Sequence, residues 1–374
     1  MNPDTRRYAM SAIDRHIEQT MPKPVEVERS GKDLVQWGED NGYPDFLLAL
    51  YENVPTLQSI INGTRDFVKG DGMTIALLRD GLNPNVMNNK GDIIDDQVER
   101  LALDYLMYGA FALQVIRGKD GSISEVHYIN VRYLRMNKEG DVFYYSEKWN
   151  KPGLKKTIEY PAFMRDINWN ELDDEQKANV ASSVLYVKRD DLHTYPSPIY
   201  GAAVKSCEME RRIDDFHLND LDNHFTASAI INLCNGIPDE PEQSEIEKNL
   251  NEKTAGYQNG GRIVITYSDG RINAPVITPL NMEDFGERYD RLAERAQQSI
   301  FTAFRANPNL FGIPTEGNGF ANEQYEESFK LYNRTMVRPI QRKICDAYDK
   351  IYGRIGVLQI SPFSLAAETE NIVR

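Results

Sequence analysis

An α+β fold is what this sequence predicts, and two features predict it. Several long stretches carry apolar residues at steps of three and four, which places them on one face of a helix. Between residues 111 and 188, short apolar runs alternate with glycine- and aspartate-bearing turns, which reads as an antiparallel β unit. At 374 residues the chain can bury a full core and form two or three packed units.

The first 33 residues are polar, with prolines at Pro3, Pro22 and Pro24, and read as a flexible arm with a short helix over 8–19. Turn chemistry at Asn41-Gly42 and Pro44 precedes a helix to about Glu52. Pro55 suits a first helical position, and the helix Thr56–Val68 buries Leu57, Ile60, Ile61, Thr64 and Phe67 before Gly70. A third helix over 92–109 ends at Gly109. The pattern then switches. Phe111–Arg117 and Glu125–Tyr128 flank the turn Lys119-Asp120-Gly121, and Arg132–Asn137 and Val142–Ser146 flank Lys138–Asp141. Trp149 to Ala181 reads as a turn-rich excursion, followed by the strand Ser183–Lys188.

Thr194–Gly201 is a proline-stiffened lead-in to a helix over Tyr200–Phe225, about 40 Å long. Its centre is highly charged, with Met209, Ile213, Phe216, Leu221 and Phe225 as its apolar positions. Strands Ala229–Leu233 and Arg262–Tyr267 follow, with an extended piece at Pro275–Leu280. Between the two strands, an acidic helix starts near Ser244, with Glu247 at capping-box spacing. The helix Met282–Phe304 is striped by Phe285, Tyr289, Leu292, Ala296, Ile300 and Phe304. A glycine-, proline- and asparagine-rich loop runs to Gly319. A longer helix, Phe320–Tyr352, then carries Tyr325, Phe329, Tyr332, Met336, Ile340, Ile344, Tyr348 and Ile351. About 20 residues complete the chain, with one extended piece.

Net charge is -14, from 43 basic and 57 acidic residues, which disfavours tight nucleic-acid binding through phosphate neutralisation. It suits a surface that DNA passes without sticking, because like charges repel over a Debye length of about 8 Å. No run approaches the roughly 18 apolar residues of a membrane span. The opening residues lack a secretory core, so the protein is expected to be intracellular where it is made. Cys207, Cys234 and Cys345 are far apart and form no C-x-x-C pair, so they read as reduced core residues.

Catalytic signatures are missing. There is no phosphate-binding loop, and Gly317-Asn318-Gly319 follows a helix where a dinucleotide site needs a strand. His217 and His224 are seven apart, too far for a zinc pair on a helix. Asp214-Asp215 beside Arg211-Arg212 is better explained by ion pairing at helical spacing. No G-x-S-x-G elbow occurs. No catalytic residue, metal ligand or cofactor is expected.

Four stretches together resemble the phage portal protein family: Leu34–Met73, Leu101–Met136, Val184–Gly236 and Phe304–Tyr352. The third enters its long helix through Pro-Ile-Tyr-Gly. The fourth opens with AFRANPNLFGI, similar to the family's arginine–proline–leucine–glycine signature, and continues into a helix with a mid-helix Pro339 that would kink it. The resemblance covers roughly residues 34–352. With little sequence after Tyr352, a large crown is not expected.

That resemblance implies a portal fold: a flexible arm (1–33), an α/β wing (34–190), a first stem helix (191–227), a clip (228–281), a second stem helix (282–306), a channel loop (307–322), a long wing-to-crown helix (323–352) and a tail (353–374). It implies a structural protein of the virion, made in the bacterial cytoplasm and placed at the portal vertex of the capsid. Copies would form a closed ring, usually of twelve, through which a terminase motor drives double-stranded DNA. A head–tail adaptor would dock later, and major capsid and scaffolding proteins would surround the ring.

In these terms Thr315, Glu316, Asn318 and Asn322 are the expected DNA-channel residues. Asp239, Glu240, Glu242, Glu245 and Glu247 are the expected clip partner surface. Met209, Ile213, Phe216, Leu221, Phe285, Tyr289, Leu292 and Ile300 are the expected stem packing residues. Two other readings stay open. One is an α+β metal-dependent hydrolase or nuclease using Asp190 or Asp191. The other is a different head–tail connector component, against which the length argues, adaptors being smaller.

Overall fold

The computed structural model describes residues 26–28, 34–76, 86–149, 157–223, 229–233, 238–239, 241, 243, 245–246, 263–267, 283–312 and 322–364. Two compact units divide the chain. One takes Met1–Ala49, Ile61–Ile199 and Asn333–Arg374; the other takes Leu50–Ile60 and Tyr200–Tyr332. The first unit is therefore not the continuous 34–190 expected from the sequence.

It begins with β1 (Glu26–Glu28) paired antiparallel to β2 (Val35–Trp37). The stretch expected to be a flexible arm thus contributes a paired strand, which three residues are too few to betray by periodicity. Trp37 is buried and stacks flat on Tyr195, with centroids 4.5 Å apart. The Tyr195 hydroxyl donates to the Val35 carbonyl at 2.6 Å and accepts the Met136 N–H at 2.9 Å. Helices α1 (Tyr43–Asn53) and α2 (Pro55–Lys69) follow, with Pro55 opening α2. β3 (Met73–Ile75) and α3 (Ile94–Tyr108) come next. Gly109 closes α3 at φ 77°, and an added Cβ there would meet the Ser197 carbonyl oxygen at 2.5 Å. Only glycine fits both demands.

β4 (Ala110–Arg117) then pairs with β5 (Ile123–Ile129), and a second hairpin joins β6 (Leu134–Met136) to β7 (Val142–Tyr145). The expected turn-rich excursion is ordered structure. It holds β8 (Ile158–Pro161), a 3-10 turn at Trp169–Glu171 and α4 (Asp174–Val180), whose Asp173 and Gln176 cap each other reciprocally. Tertiary contact explains the difference. Trp169 donates its indole N–H to the Lys119 carbonyl at 2.9 Å and lies against Gly121, where a Cβ would meet its ring at 2.5 Å. β9 (Ser182–Lys188) completes a three-stranded antiparallel sheet in the order β5-β4-β9. The other sheet runs β1-β2-β6-β7-β8, and a parallel bridge from Ala162 to Val184 ties it to β9.

In the second unit a 3-10 turn at Gly201–Ala203 leads into α5 (Val204–Asn223), shorter than expected at both ends. β10 (Ala229–Leu233) and β11 (Ile263–Tyr267) form a parallel pair. α6 (Glu283–Phe304) leads to a 3-10 turn at Pro308–Phe311, closed by Gly312 at φ 80°. α7 (Asn322–Tyr332) follows.

The expected single helix over 323–352, kinked at Pro339, is replaced by three pieces. After α7 come a π turn at Asn333–Val337 and then α8 (Arg338–Tyr352). The apolar spacing accounts for this. Tyr332, Met336, Ile340, Ile344 and Tyr348 are all buried and lie four apart. In an α-helix four residues turn about 400°, so the run would drift by about 160°. One extra residue in a π turn takes back about 100°, which returns the run to one apolar stripe. Pro339 falls in the first turn of α8, where its missing N–H costs little. In the first unit α8 packs on α3: the Tyr348 hydroxyl donates to Gln97 Oε1 at 2.9 Å, and Gln97 Nε2 donates to the Val126 carbonyl at 2.8 Å. β12 (Leu358–Ile360) pairs antiparallel with β3.

Candidate functional site

The second unit is built on an antiparallel helix pair. Tyr200 stacks on Phe304 with centroids 5.6 Å apart, and Phe216 stacks on Tyr289 at 4.7 Å. As one index rises the other falls, so α5 and α6 run in opposite directions. Of the expected packing positions, Ile213 and Ile300 are buried, and Met209, Tyr289 and Leu292 are half-buried. Phe216 keeps 45% of its surface exposed while stacking on Tyr289. Leu221 and Phe285 lie outside the residues whose side chains are described.

Charges on α5 are ordered differently from the expectation. Glu208, not the Asp214-Asp215 pair, is the shared acceptor: Arg211 Nη2 reaches it at 2.9 Å and Arg212 Nε at 2.8 Å. Asp215 joins through Arg211 Nη1 at 2.9 Å. Burial by itself would raise the Glu208 carboxyl, but the hydrogen bonds from Arg211 and Arg212 outweigh it and hold it below the usual range. The signal was present in the sequence, since Glu208 precedes the two arginines by three and four residues.

Glu210, one turn away from that cluster, does something periodicity could not announce. Its Oε1 accepts the Thr56 hydroxyl at 2.7 Å and the Thr56 N–H at 3.4 Å, so it caps the first turn of α2. Its Oε2 is buried without a partner. Burial pushes the Glu210 carboxyl up, against the Thr56 bonds and with help from Asp214. Cys207 is buried and free, and burial pushes its thiol up to about 12. Cys345 is free and half-buried, and its thiol is pushed up to about 11. Cys234 lies outside the described residues.

Along the pair runs a groove of about 400 Å³, lined by Ala202, Ala203, Ser206, Arg295, Ser299 and Thr302 among others. The Ser299 and Thr302 hydroxyls donate to the Arg295 and Gln298 carbonyls at 2.8 and 2.7 Å, leaving only lone pairs to face outward. These groups can pack against a surface; they pair no nucleophile with a base.

Thr315, Glu316 and Asn318 of the expected channel loop lie outside the described residues, and Asn322 opens α7 with its side chain undescribed. The entry to that loop is described. Asn307 Oδ1 accepts the Asn309 N–H at 3.1 Å, and its Nδ2 donates to Ser328 Oγ at 3.1 Å. Phe311 meets Tyr332 edge-on at 5.6 Å, and its carbonyl accepts the Ser59 hydroxyl at 3.2 Å. Of the expected partner surface, Asp239 and Glu245 are exposed; Glu240, Glu242 and Glu247, with the capping-box Ser244, lie outside the described residues.

The alternative hydrolase carboxylates are engaged by cations. Asp190 pairs with Arg189 at 2.8 Å and Asp191 with Lys188 at 3.0 Å. Among the described residues no group of three or more His, Cys, Asp or Glu could hold a metal ion, and no helix is long and apolar enough to cross a membrane.

Comparison with known proteins gives three findings. The family model described as phage portal protein matches residues 78–363, well over half of the chain. The probable portal protein of Escherichia phage P2 is 20% identical over 276 residues, covering 73% of this chain and 71% of that protein. Among solved structures, the neck of an empty gene transfer agent particle shows a similar fold, with a TM-score of 0.52 and 17% identity over 87% of this chain and 85% of that one. The virion of the native particle is similar at 0.51 and 16%, over 84% and 83%.

Proposed function

We propose a ring-forming conduit, from the premise that this chain belongs to the phage portal protein family. Copies close into a ring at one vertex of the capsid, and double-stranded DNA enters and leaves through its centre. The single observation that carries the reading is the family match across residues 78–363. The antiparallel pair α5–α6 supports it as the stem, with residues 228–281 between them as the clip that meets terminase and later the head–tail adaptor. The wing (34–190) would face major capsid and scaffolding proteins, and the loop over 307–322 would face DNA through Thr315, Glu316, Asn318 and Asn322. The acidic clip residues Asp239, Glu240, Glu242, Glu245 and Glu247 would meet the partners. Twelve copies is the expected ring.

The chemistry is consistent with a passive part. The net charge of -14 favours weak, transient contact with DNA over tight holding. Head-to-tail copies use two different surfaces of one chain, and such contacts close only at the right rotation. ATP hydrolysis belongs, in this reading, to the terminase. Native mass measurement and negative-stain imaging of the purified chain test it. A closed ring with a central channel is expected; monomers alone at every concentration and salt would overturn it.

A further inference from the structure

The parallel pair β10–β11 is incomplete as a sheet. Ala229 stands opposite Ile263 and the register holds to Leu233 opposite Tyr267, yet among the described residues no third strand flanks either side. Two-stranded sheets are marginal by themselves. Parallel sheets are found with both faces covered, and near-continuous apolar strands mark them. Ala-Ile-Ile-Asn-Leu and Ile-Val-Ile-Thr-Tyr are such strands. Each outer edge also presents a row of N–H and C=O groups that templates another strand.

The two outer edges are not alike, since one belongs to β10 and the other to β11. A head-to-tail ring contact needs two unlike, complementary surfaces of the same chain. Rotation about a ring axis also preserves strand direction along that axis. A parallel pair can therefore repeat into a band whose strands all point one way. We propose that, in the assembled ring, the outer edge of β10 in one copy pairs with the outer edge of β11 in the next copy. The occupant of each edge is thus a second copy of this chain. This rests on the ring reading above and adds to it where the copies exchange backbone hydrogen bonds.

Amide hydrogen exchange of the full chain, compared between its ring and monomer fractions, tests the proposal. Within residues 229–233 and 263–267, the amides facing outward are expected to exchange at least tenfold more slowly in the ring. Equal exchange in the two fractions would overturn it, because the edges would then be open or covered by the same chain. A second test uses Ile230→Pro and Ile231→Pro. Neighbouring N–H groups along a strand point to opposite sides, so one faces β11 and the other faces outward. Both prolines are expected to lower the ring fraction tenfold or more; tolerance of either one counts against paired outer edges. If the wild-type chain gives no ring, the ring reading fails and this falls with it. If rings form and exchange is unchanged, only this pairing fails.

Discussion

Glu210 reaches across from α5 to accept both the hydroxyl and the N–H of Thr56, at 2.7 and 3.4 Å, while its other oxygen is buried without a partner. One carboxyl therefore fixes the start of α2 and bears an unmet hydrogen-bonding capacity. Replacing it with alanine removes a helix cap and is expected to cost about 1–2 kcal/mol in urea denaturation. Glu210→Gln keeps an acceptor for Thr56 and drops the buried charge. It should match or exceed wild-type stability at pH 7.

Asp104 is buried, accepts the Val131 N–H at 3.0 Å and is hydrogen-bonded to Tyr128. Burial pushes its carboxyl up to about 7, opposed by those hydrogen bonds. A carboxyl raised in the fold contributes stability that is full below its unfolded value, near 3.8, and lost as pH rises through 7. The loss is on the order of 4 kcal/mol at most. The stability difference between wild type and Asp104→Asn should therefore move in favour of the variant from pH 4 to pH 8. A difference that stays constant across that range would show the carboxyl to be unperturbed.

The Tyr186 hydroxyl is buried without a partner, and its ring stacks on Phe143 at 5.6 Å. Tyr186→Phe keeps the ring and removes the stranded group. Thermal melting should show a change between neutral and about 1 kcal/mol of stabilisation. A loss of more than that would reveal a hydrogen bond to ordered water.

Deleting Thr335 from the π turn should convert it to α-helix while leaving both flanks facing as they do now. The melting temperature should change little. Deleting the exposed Arg342 instead rotates Ile344, Tyr348 and Ile351 by about 100° relative to Ile340. All four are buried, so that variant should lose several kcal/mol or fail to fold.

By itself the sequence determined the main helices and hairpins. Apolar residues at steps of three and four mark α2, α3 and α6, Gly109 ends α3, and Lys119-Asp120-Gly121 turns β4 into β5. These are local, set by side-chain period and turn chemistry within a few residues. The ordered resemblance of four stretches also reached the right family before any coordinates.

Only the tertiary structure decided the rest. β3 pairs with β12 across nearly the whole chain, and both strands are three residues long, too short to show a period. β8 and α4 form in a polar excursion that Trp169 holds against Gly121. The steps of four from Tyr332 to Tyr348 were visible, but they became a π turn because all five residues are buried at once. The same holds for Glu210 and Asp104. A sequence shows that a carboxyl is present, whereas its protonation and partners are set by the low-dielectric surroundings that distant segments build around it.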